Sequence, residues 1–368
     1  DAAQLGALST LQTGALNATQ MRALSPEQLA SLTTTQIKGL TAAQMTAMTP
    51  TQIGALTITQ IPDLTVAGLS GLTAANMAGL STEQLGALSS GQIGKLSAMQ
   101  VRGLTATQIP ALADTQLAAL TAGGMAGLTP TQVAAFSETQ IAALTTTQVR
   151  GLSAAAVGAL SEAQVQAMSV SQVGALTATQ VRGLTATGAG ALTSDQLAAL
   201  SSVQVANLSV TAITSLTETD IGALTTTQVR ALSADQIGSL SPTQAAGLQV
   251  TQLAMLSALQ MKGIAAADLS TLTADQMAAF STTQIAALGA GQVQALTSAQ
   301  VAGLSTTQVG GMAATQIAAF TSAQVEALAS TQLAAMTPGA FTGLTATNMA
   351  QLRTEQLGAL TTTQITRL

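Results

Sequence analysis

Ten basic residues are the first candidates for chemistry in this sequence, because seven of them fall in one register. Arg22, Lys38, Arg102, Arg150, Arg182, Arg230 and Lys262 all leave remainder six when their numbers are divided by sixteen. A row of cations at fixed spacing could line the phosphates or carboxylates of an acidic polymer along one face of a regular structure. The competing reading is that these residues end short helices at positions with room for a long side chain, and favour the helix dipole there. Other chemistry is poorly provided for. The chain has no His, no Cys, no Trp and no Tyr, and its charged residues amount to 7%. Without imidazole, thiolate or phenol, and with fifteen scattered carboxylates, general acid–base catalysis and transition-metal binding have no residues to work with. We therefore expect no enzyme, no catalytic residues, no metal and no cofactor. A net charge of −5 argues against nucleic acid as a partner.

The elements that must carry the basic row are written into a repeat. The 368 residues divide into 46 octads of the form [ST]-x-x-Q-[VILM]-x-[AG]-L without insertion or deletion. The eighth position is always Leu, Met, Phe or Ile, and the fifth is apolar except at Thr13. Gln holds the fourth position in 36 octads and Ser or Thr the first in 37. Ser or Thr three residues ahead of Gln is the capping-box arrangement at a helix N-terminus. Five of the seven prolines, Pro26, Pro50, Pro130, Pro242 and Pro338, follow that cap directly, where their missing N–H costs nothing. Acids such as Glu27 and Glu83 gather at the second and third positions, and nine of the ten bases at the sixth and seventh, as a helix dipole favours. The pattern predicts an all-α solenoid of short helices. The many Thr, Val and Ile residues leave a β-solenoid as the alternative.

Helices this short must pack on neighbouring octads. Long polar side chains at the sixth position, including Gln166, Gln294 and Glu326, occur only in odd-numbered octads; the seventh position is Ala, Gly or Ser in odd octads but admits Asp63, Lys95, Asn207, Met255, Gln351 and Arg367 in even ones. This alternation predicts sixteen-residue coils of two octads, 23 in all, making one continuous solenoid over 1–368. At one helix spacing per coil the rod would be on the order of 200 Å long. On this reading Gly190, the even-octad counterpart of Arg182, sits where no long side chain is tolerated. The chain opens on Asp1 and closes on an ordinary octad, so we expect a segment of a longer array whose ends pair with other copies.

Two further uses of the columns are weaker. A Gln column could template amyloid-like stacking, and a hydroxyl array resembles those of ice-binding proteins, although the first-position hydroxyls are committed to caps and no unbroken Thr plane is present. The octads LTATQVRG, LTTTQVRA and LSEAQVQA resemble the octapeptide arrays of very large, low-complexity bacterial surface and secreted proteins. That resemblance covers the whole chain and implies an extracellular or cell-surface structural or adhesive role. Local likeness to the helical arrays of mesothelin-like animal proteins stops at the capping phrase. The expected function is thus a rod or filament that self-associates end to end or laterally, with a binding or adhesion module that uses the basic row on a surface polymer as the alternative. No apolar run is long enough to span a membrane.

Overall fold

A computed structural model describes residues 2–367. All but two octads build a short α-helix: among the described residues 44 α-helices of four to six residues follow one another, and there is no strand. The protein is an all-α solenoid, and the β-solenoid alternative is excluded. The Ser or Thr at the first position stands in extended conformation, as Thr177 does at φ −73° and ψ 158°, and its hydroxyl accepts from the backbone N–H of the Gln at the fourth position. That Gln returns the favour through Oε1, which accepts the cap N–H at 2.8 Å in the Thr177–Gln180 pair. The helix ends when the eighth residue goes back to extended backbone, as Leu144 does at ψ 137°. No described residue has positive φ, so the chain reverses through paired extended residues at positions eight and one rather than through left-handed glycines.

Two octads depart from the α-helix, and proline explains both. Pro62 and Pro110 occupy the sixth position, where a helix interior needs an N–H and where the ring disfavours helical backbone at the preceding residue. The octad 57–64 keeps only a 3-10 turn, Ile61–Asp63, and the octad 105–112 keeps only turns. Their fifth and eighth residues, Ile61, Leu64, Ile109 and Leu112, remain buried, so the octad still fills its place in the core.

The chain falls into two compact units, Asp1–Leu192 and Thr193–Leu368. In each, the fifth- and eighth-position side chains form a continuous apolar core, and Thr13 is buried there too, its hydroxyl bonded to the Ser9 carbonyl. The stacking step differs from the sixteen residues expected. In the first unit the helix Ala122–Met125 packs on Thr146–Gly151, and in the second Ser202–Ala206 packs on Thr226–Ala231; both pairs are three octads apart, as packed helix pairs are throughout. Hydrogen bonds reach further, to the fourth octad back: the Gln36 amide donates to the Leu5 and Leu8 carbonyls, and Gln364 to those of Leu333 and Met336. Within each unit an octad is therefore wedged between the third and the fourth before it. One turn of the coil takes between three and four octads, and two-octad coils are ruled out, because helices pack three octads apart and the buried amides bond to the fourth octad back.

Candidate interaction surface

The glutamine column is the polar spine of each unit. Gln180 is 2% exposed; its Nε2 donates to the Val149 and Leu152 carbonyls, both at 2.7 Å, while Oε1 holds the Thr177 N–H. Gln228 repeats the arrangement in the second unit on Leu197 and Leu200. One amide thus satisfies a helix start and two orphan carbonyls of a helix end in another turn of the coil. Capping alone did not reveal this second half. A signal was present, since a capping box accepts Glu as readily as Gln, yet the fourth position holds Gln, Asn, Asp, Gly or Ala and never Glu. A column that needs only an acceptor would use both; one that also needs a donor favours the amide, and an acid stands there only as Asp220 and Asp268.

The basic row lies on the outside. Arg22, Lys38, Arg102, Arg150, Arg182, Arg230 and Lys262 are all exposed, at or near the ends of their helices. Where their bonds are described, they run to the residue 25 positions on, which is the seventh position three octads ahead. Arg22 Nε donates to the Ala47 carbonyl at 2.9 Å and Arg150 Nε to that of Ala175 at 3.0 Å. Lys38 Nζ stands 3.1 Å from an Asp63 carboxylate oxygen, with the two side chains 59% and 26% exposed. The described bonds do not join members of the row to one another; each ties its own octad to the next turn. Arg102 borders a groove of about 270 Å³ with Gly127, Pro130 and Ser153, a lining that offers a ligand little besides hydroxyl and backbone groups.

Parity behaves differently from the expectation at position six. That position is exposed or half-buried in odd and even octads alike, and Gly190 itself is exposed. Position seven does differ. In odd octads it is half-buried or buried from Gly39 to Ala359, whereas in even octads it varies: Ser31, Lys95, Ala143, Ala223 and Met255 are exposed, while Ala47, Gly127, Ala175 and Ala191 are buried. The sixth position of one octad faces the seventh of the octad three ahead, so the small residues of even octads lie against the closed seventh positions. At Gly158, half-buried, an added Cβ would run into the Gly183 carbonyl.

Among the described residues no three His, Cys, Asp or Glu side chains gather to hold a metal, and no helix is long and apolar enough to cross a membrane. Two exposed acids near helix starts, Glu27 and Glu83, have their carboxyls held below the ordinary value of 4.5, each chiefly by its own backbone N–H and then by the hydroxyl of Ser25 or Ser81. These are helix-start interactions, not a reactive pair. A search of curated proteins finds no match. The chain is similar to one described family, the ALTTAQ repeat, whose model matches residues 26–58, 61–98, 213–250 and 275–306, so this protein is a repeat array with ALTTAQ-type segments in both of its units.

Proposed function

We propose that this protein is structural: an extended rod or filament, on or outside a bacterial cell, that assembles with further copies end to end or side by side. The observation that carries the reading is the glutamine spine. The same amide makes the same bonds to the fourth octad back in both units, from Gln36 in the first to Gln364 in the second. A stack whose every interface is the same can be lengthened without redesign, and its stability accumulates interface by interface. The residue palette supports the same reading, since it supplies bonds and core but no imidazole, thiol or phenol. An exterior with few charges lets neighbouring rods approach with little repulsion. The extracellular, bacterial setting rests on the resemblance of the octads to surface-protein arrays. Negative-stain electron microscopy of the purified chain tests the proposal; rods or filaments are expected, and a uniform field of compact globules would refute it.

Adhesion through the basic row is the weaker reading. Arg22 and Arg150 use guanidinium donors on backbone carbonyls, and Lys38 is paired with Asp63. Binding to an anionic polymer that falls with salt, and falls further when the seven residues are changed to Gln, would favour it over the structural reading.

A further inference from the structure

The octad Ala265–Leu272, AAADLSTL, breaks the spine twice: Ala265 replaces the capping hydroxyl and Asp268 replaces the Gln. Asp268 is 2% exposed, and its Oδ2 is a buried side-chain atom with no hydrogen-bond partner. The two natural Asn variants at this position show what that atom faces. Asn76 Nδ2 donates to the Met48 carbonyl at 2.9 Å and Asn348 Nδ2 to the Phe320 carbonyl at 2.9 Å, each 28 residues back. Asp is isosteric with Asn, and the equivalent carbonyl for Asp268 is that of Leu240. We infer that Asp268 is a buried proton-binding site, where the protonated carboxyl donates from Oδ2 to the Leu240 carbonyl and so makes the bond between octads that an amide makes elsewhere.

The alternatives fit less well. An ionised carboxylate would set two unshielded oxygens against each other inside the core, a costly arrangement. A metal ion needs more than 2 Å to each oxygen it joins, and at the Asn spacing only a hydrogen fits between the two atoms. No cation faces the site. The packed helices Pro242–Ala246 and Ala290–Ala295 carry no charged residue. The octad 297–304, whose Gln300 donates to the Leu269 and Leu272 carbonyls, carries none either. Asp235 on the Leu240 octad, and Lys262 and Asp275 on the adjoining octads, are exposed. Asp220, the other Asp in the column, differs: Thr217 supplies both N–H and O–H to its Oδ2, a hydroxyl that Ala265 lacks. Burial pushes the Asp268 carboxyl above its ordinary 3.8, with the Ala265 N–H opposing in smaller measure.

The sign of the linkage follows. The folded state holds this proton more tightly than the unfolded chain, so the contribution of Asp268 to stability is complete below 3.8 and is lost as pH rises through the raised folded value. The test compares the full chain with Asp268→Asn and Asp268→Gln by hydrogen-exchange mass spectrometry over 233–240 and 265–272, each pH being compared variant against wild type. At neutral pH the variants should be better protected, by roughly tenfold for each unit by which the pKa is raised; at pH 3 the Asn variant and the wild type should agree. Carboxyl carbon NMR of the wild type should show one aspartate titrating above the rest, absent from Asp268→Asn. A protection ratio that does not change with pH, or no aspartate titrating above the ordinary range, would overturn the inference.

Discussion

If the glutamine amide both caps a helix and ties it to the fourth octad back, four substitutions at Gln180 should separate the two roles. Gln180→Met keeps the volume and removes every bond, abandoning the Thr177 N–H and the Val149 and Leu152 carbonyls in a site that is 2% exposed. Each hydrogen bond is worth about 1 kcal/mol net and each stranded buried partner costs about 1–3 kcal/mol, so the loss should be about 3–6 kcal/mol. Gln180→Asn should retain the bond to Leu152, as Asn76 and Asn348 do with their own carbonyls 28 back, and cost about 1–2 kcal/mol. Gln180→Glu keeps an acceptor for the cap N–H but turns a carboxylate on two carbonyls; it should cost at least as much as Met at neutral pH and recover on acidification. Gln180→Ala adds a cavity to the Met deficit. Because arrays open locally, the assay is hydrogen exchange across 149–152 and 177–184 beside urea unfolding. A Met variant less than about 1 kcal/mol below wild type, or a Glu variant no worse than Asn at neutral pH, would refute the two-role account.

Replacing a cap hydroxyl alone should be milder: Thr225→Ala should cost about 1 kcal/mol and Thr225→Ser almost nothing, by urea unfolding, since the Gln228 bond to the cap N–H survives. A double-mutant cycle on Lys38 and Asp63 should return at most about 1 kcal/mol and shrink in salt, because the lysine is mostly in water. Glu27 has a folded pKa below its unfolded 4.5, so its contribution exists above that value and is lost as pH falls through the folded one; the stability difference between wild type and Glu27→Gln should vanish on acid titration. Gly158→Arg should cost about 1–3 kcal/mol by driving a Cβ into the Gly183 carbonyl, whereas Ala118→Arg, at an exposed sixth position of an odd octad that faces the exposed Ala143, should change thermal stability by less than about 0.5 kcal/mol.

What the octads disclose and what they hide divide along a physical line. Capping, proline register and charge sorting are contacts within eight residues, and they identify the short helices; the same rules predict helices in the two octads that Pro62 and Pro110 unwind, although a proline at the sixth position marks both. Stacking is a contact between residues 25 to 31 apart, and a repeat of eight makes every multiple of eight look alike, so the partner octad has to be found from the exceptions. The exceptions are long side chains at odd sixth positions and even seventh positions. Read as two columns, they gave a two-octad coil. The stride between packed octads is three, and an odd stride joins opposite parities, so both columns belong to one seam in which residue i meets residue i + 25. Lys38 with Asp63 is that seam in charges, and Arg22 and Arg150 reaching the carbonyls of Ala47 and Ala175 are the same seam with a small partner. The complementary seam, even sixth against odd seventh, is the one whose seventh positions are covered throughout from Gly39 to Ala359, and there Thr46 is about as long a side chain as occurs, its hydroxyl on the Gly71 carbonyl at 2.7 Å. The basic residues of the row thus lie where the coil leaves room between its turns.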